Sequence, residues 1–87
     1  MAFLVNPDGT TEELTLPEED RLDFMQECVG GYIEAISAGH LYSNKYTVVL
    51  VNEEGIMMGM EPNLVASKVI GRPIVGPALF LSDEEWD

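Results

Sequence analysis

The chain has 87 residues, with 16 Asp and Glu against 4 Lys and Arg, for a formal charge of -12. Apolar residues make up 46%, close to the globular average and too many for a disordered acidic tail. So few basic groups make a poor direct ligand for nucleic acid or an anionic membrane, no apolar run is long enough to span a bilayer, and a single cysteine allows neither an internal disulfide nor a four-ligand zinc site.

This length predicts a single domain over residues 1–87, with 82–87 as an acidic tail. Ala2 to Val5 reads as a short strand. Asn6-Pro7-Asp8-Gly9 is a turn signal, and Glu13 to Leu16 reads as the returning strand. Thr15 and Glu18 fit the S/T-x-x-E capping pattern, with Pro17 suited to a first turn. Leu22, Met25, Cys28 and Val29 then recur at helical spacing until Gly30-Gly31, which predicts a helix of roughly 12–13 residues.

Tyr32 to Ser37 reads as a strand and Ala38-Gly39-His40 as a turn. Tyr46 to Val51 is apolar on both faces, as a strand in the middle of a sheet would be. Asn52-Glu53-Glu54-Gly55 is expected to turn it back into a strand over Ile56 to Met60. Asn63 and Gly71 bracket a helix over Leu64 to Ile70 as N-cap and C′ residues. Ile74-Val75 and Ala78 to Leu81 read as strand, and the intervening Gly76-Pro77 argues for a sheet edge or a bulge. The summed order is β-β-α-β-β-β-α-β. This is an α+β domain: one mainly antiparallel sheet of about five to six strands, with two helices expected on one face.

Four blocks in this layout form a familiar series: Gly30-Gly31-Tyr32-Ile33-Glu34, Val51 to Gly55, Pro62 to Ser67, and Ile74 to Phe80. Their order and spacing resemble a family of small proteins of bacteriophages, plasmids and their hosts that is catalogued only as a domain of unknown function. The resemblance implies a setting, an accessory gene acting inside a bacterial host cytoplasm, and no site residues.

Little in the chain points to catalysis. His40 is the only histidine and sits in a turn between strands; no nucleophile and orienting carboxylate are evident beside it. Cys28 lies near a helix C-terminus beside Glu27, which favours the neutral thiol. No phosphate-binding glycine motif, EF-hand loop or other metal-ligand spacing is present, so no cofactor and no metal are expected. Met57, Met58 and Met60 form a cluster suited either to a core or to a pliable binding surface.

The polar residues that invite a binding role are Tyr32, Glu34, Asn52 and Asn63, although turn and cap positions also explain the asparagines. Glu19, Asp23 and Glu27 repeat every four residues, which predicts an acidic stripe on the first helix. Three readings stay open. A non-enzymatic domain of this charge could bind and modulate a host protein, DNA mimicry being one form of that. It could sequester a nucleotide-like small molecule, with Tyr32 stacking on a base. It could instead be structural, as a homodimer or higher oligomer.

Overall fold

The computed structural model describes residues 2–37 and 46–86. The expected turn at Ala38-Gly39-His40 therefore lies outside the described residues. The elements, in chain order, are β1 (Ala2–Val5), β2 (Thr11–Leu14), α1 (Arg21–Val29), β3 (Ile33–Ser37), β4 (Val48–Asn52), α2 (Leu64–Ile70), β5 (Ala78–Leu81) and α3 (Asp83–Trp86). The strands form one sheet in the order β2-β1-β5-β4-β3, and every neighbouring pair is antiparallel. This is the expected α+β class, with five strands among the described residues.

The first hairpin closes earlier than the sequence suggests. Asp8 accepts hydrogen bonds from the Thr10 amide (2.9 Å) and hydroxyl (2.6 Å), which hold its carboxyl below the usual range. The Asn6 amide donates to the Thr10 carbonyl, and pairing resumes at Val5 opposite Thr11. The return strand thus ends at Leu14, and Leu16 is free to bury itself beneath α1. Glu12 and Glu13 sit on this edge strand, where charge discourages pairing with another chain.

That buried Leu16 also explains why α1 starts late. The helix begins at Arg21, so Thr15 and Glu18 do not cap it; its N-cap is Asp20, with φ 57° and no side-chain capping bond. Arg21 holds the preceding segment, its Nε donating to the Pro17 carbonyl at 2.9 Å and its Nη1 to the Glu85 carbonyl at 3.3 Å. Gly30, at φ 84°, ends the helix as expected.

The two main helices lie on opposite faces of the sheet, not on one. Met25 and Val29 of α1 pack with Leu4, Leu50, Leu79 and Leu81. Ala66 and Ile70 of α2 pack with Val5, Val49, Val51 and Phe80. Alternate residues of the same strands feed the two cores, as strand geometry requires. A sheet buried on both sides needs strands that are apolar throughout. β5 meets this requirement, with all four residues buried, and it is the middle strand. Gly76-Pro77 therefore marks the entry to the centre of the sheet and not an edge. The strongly apolar β4 lies beside it, inside the sheet.

Ile56 to Met60 is not a strand. Residues 53–59 form a run of turns, and the chain then reaches α2 through a single bridge between Pro62 and Val75. Within the acidic tail, Asp83–Trp86 are helical. Ser82 and Glu85 form a reciprocal capping box: the Ser82 amide donates to Glu85 Oε1 (3.0 Å) and the Glu85 amide to Ser82 Oγ (3.3 Å). The box opens the short helix α3. Among the described residues no helix is long and apolar enough to cross a membrane.

Candidate binding surface

The end of β4 organises the candidate site. Asn52 is buried, its Nδ2 donates to the Val29 carbonyl at 3.2 Å, and its Oδ1 accepts the Glu54 amide at 2.7 Å. One side chain thus ties the C-terminus of α1 to the start of the 53–59 turn. The approach is close: a β-carbon added at Gly31 would lie 2.9 Å from Asn52 Nδ2. The turn is closed by further backbone bonds, Met58 N–H to Glu54 (2.9 Å) and Met60 N–H to Gly55 (3.0 Å).

Met60 anchors the far end of the turn. Its side chain lies against Gly30, Gly55 and Gly76, and a β-carbon at Gly76 would meet Met60 Sδ at 2.6 Å. Between the two anchors, Ile56, Met57 and Met58 point outward, 77%, 86% and 57% exposed. The expected strand alternation placed Met58 and Met60 on one face. The turn instead separates them, with Met60 packed inward and Met58 outside. Glu53, Glu54 and Glu61 are exposed beside these apolar residues.

Two depressions flank the turn. On one side, a cavity of about 90 Å³ has Ile56, Met57, Pro73 and Val75 among its apolar lining and Glu34, Glu53 and Arg72 as its charged groups. Arg72 Nη2 stands 3.6 Å from Glu34 Oε2, with both side chains about half exposed. On the other side, an open groove runs past Gly30 and Gly31, bordered by Tyr32, Glu54 and Met58 and continuing to Asp23 and Glu27.

The structure therefore brings Tyr32, Glu34 and Asn52 around one turn, with Asp23 and Glu27 nearby. Asn63 and Glu19 stand apart. Asn63 is fully buried. Its Nδ2 donates to the carbonyls of Val5 (2.9 Å) and Gly76 (2.8 Å), and its Oδ1 accepts the Ala66 amide (3.1 Å). Every polar atom of that carboxamide is engaged within the fold. Glu19 precedes the N-cap of α1, so the expected three-residue stripe has two members on the helix, Asp23 and Glu27. His40 lies outside the described residues. Burial, with help from Glu12 and Glu27, pushes the Cys28 thiol up, away from the nucleophilic thiolate. Among the described residues no group of three His, Cys, Asp or Glu side chains is placed to hold a metal ion.

Sequence reasoning left Met57 and Met58 open between core and binding surface, and missed the outward display of Ile56 with them. The signal was an apolar run immediately after a Gly-containing turn, and it reads equally well as a strand.

Fold and surface together define a small acidic α+β domain with a sheet covered on both faces and a hydrogen-bonded turn that displays apolar side chains among carboxylates. The chain belongs to the family described as Domain of unknown function (DUF3846), whose model matches residues 1–87. No curated protein and no solved structure matches it.

Proposed function

We propose that this domain is a non-catalytic accessory protein of phage or mobile-element type, which binds and modulates a host protein in the bacterial cytoplasm through its 53–59 turn. The observation that carries the reading is the exposure of three consecutive apolar side chains, Ile56, Met57 and Met58, on a turn fixed at both ends. Exposed apolar groups clustered within a polar rim are typical of interaction sites. A turn already held in place loses little further freedom on binding, and methionine adapts to the shape of its partner.

Charge argues for a basic partner surface and against self-association through this turn. The chain carries a formal charge of -12, and a second copy docked turn to turn would bring Glu53, Glu54 and Glu61 of both copies together.

Site-specific photo-crosslinking in producing cells tests the proposal. A photoreactive residue replacing Met57 is expected to trap one discrete host protein, and the same residue replacing the exposed Glu18 is expected to trap none. Equal adducts from both positions, or none from position 57, would overturn it.

A further inference from the structure

We infer that the cavity beside the turn is the seat of a lysine side chain from the partner protein. This rests on the docking role proposed for the turn and specifies its chemistry. The cavity, about 90 Å³, is far below the roughly 300–1,000 Å³ of sites for drug-sized ligands and is on the scale of one side chain. Ile56, Met57, Pro73 and Val75 offer apolar contact to a four-carbon stem, and a long cationic side chain buries its stem while its head stays hydrated.

The charges select the head group. Glu34 and Glu53 face a single guanidinium, Arg72, so the lining carries one net negative charge. A phosphate or carboxylate would be repelled by both glutamates. An ammonium group is attracted to both. Glu34 is accessible to it, because its contact with Arg72 is long, at 3.6 Å, and half exposed, the kind of pair that contributes little and exchanges readily. The entering ammonium takes Arg72's place on Glu34, and Arg72 swings into solvent.

The test is an amide-resolved NMR titration of the full chain with Nα-acetyl-lysine N-methylamide, with the norleucine analogue as the uncharged stem. Saturable shifts at Val51, Glu53, Ile56 and Val75 are expected from the lysine probe alone. The double variant Glu34→Gln/Glu53→Gln should lose them while keeping the wild-type urea midpoint. Arg72→Gln, which removes the competing cation, should tighten binding by roughly two- to fivefold. The inference is overturned if norleucine produces the same shifts, if the response survives in the double variant, or if it is strongest at Asp23 and Glu27. If the lysine probe fails while crosslinking from position 57 still traps one protein, the cavity assignment alone is wrong. If the probe binds and the crosslink fails, the docking role falls instead.

Discussion

Asn63 offers the sharpest test of how this fold is held together. Its carboxamide, on a residue at zero exposure, joins three parts of the chain: it accepts from Ala66 in the first turn of α2 and donates to Val5 in β1 and to Gly76 at the entry to β5. Asn63→Ala removes an N-cap, about 1 kcal/mol. It also leaves two buried carbonyls short of a donor, at about 1 kcal/mol each even at the low end of the range. The sum is about 3 kcal/mol, a large share of the roughly 5–15 kcal/mol that stabilises a typical small domain. At about 4–8 °C per kcal/mol, the midpoint should fall by roughly 12–24 °C. Asn63→Asp separates the contributions. It keeps the acceptor for Ala66 but sets a carboxylate against the carbonyls of Val5 and Gly76. If the two donated bonds matter as argued, Asp is at least as destabilising as Ala at neutral pH. Urea unfolding followed by far-UV circular dichroism measures both variants, with an unchanged slope confirming that the unfolding reaction is the same. An Asn63→Asp variant within about 1 kcal/mol of wild type would mean that capping is the whole role, and would refute the reasoning.

Gly76→Ala is expected to destabilise by about 1–3 kcal/mol, since the position has φ 75° and the new methyl meets Met60 Sδ; in a Met60→Ala background the steric part should vanish and the backbone part remain, which a double-mutant cycle reads directly. Met57→Ser with Met58→Ser should leave stability within about 0.5 kcal/mol, because both side chains are already in water, and a larger loss of thermal stability would show that the turn packs on something. Ser82→Ala should cost about 1 kcal/mol by opening the capping box of α3. Burial raises the Glu85 carboxyl, but hydrogen bonds from Ser82 together with the positive amino terminus outweigh it and hold the group below its ordinary value. Its folded pKa is therefore lower than its unfolded one. The stabilisation is complete above the unfolded value and disappears as pH falls through the folded value. Glu85→Gln should accordingly be less stable than wild type near pH 7 and converge with it in acid, as urea midpoints across that range will show.

Local signals read correctly where the interaction itself is local. Asn63 and Gly71 mark the ends of α2 because capping is decided within one turn of chain. The apolar run of β4 also identified an interior strand, whereas Gly76-Pro77 suggested an edge for β5, the middle strand; both runs contained more than the expected layout used. Leu79 and Leu81 point into one core and Ala78 and Phe80 into the other, so continuous apolarity requires cover on both faces and hence a helix on each. Signals that depend on distant chain were not legible. Thr15 and Glu18 match a capping box in spacing, but burial of Leu16 keeps that stretch out of the helix, whereas Ser82 and Glu85 carry a similar signature and do form the box. Met60 turns inward only because Gly30, Gly55 and Gly76, far apart in sequence, leave room for it. No periodicity within residues 56–60 encodes that. Tyr32, Glu34 and Asn52 come together around the turn because β3 pairs with β4, Ile33 opposite Asn52 and Glu34 opposite Val51.

The placement of charge also separates two ways in which an acidic protein can bind. A DNA mimic needs carboxylates in a regular array, and the stripe that would have supplied one is reduced on α1 to Asp23 and Glu27. The turn offers a different combination. A connector between β4 and α2 could be polar throughout, yet this one places its apolar residues outward and fixes its base with Asn52 at one end and Met60 at the other. Exposed apolar area on a preorganised support favours binding by burial, with the surrounding glutamates assisting approach more than retention. The two modes respond differently to salt. At 1 M, where the screening length is about 3 Å, an array of exposed charges loses its hold and its complex dissociates faster. A complex retained by Ile56, Met57 and Met58 should form more slowly at that ionic strength while its dissociation rate changes little. Dissociation measured on the crosslink-identified partner at low and high salt distinguishes them, and a dissociation rate that climbs steeply with salt would return the acidic surface to the centre of the mechanism.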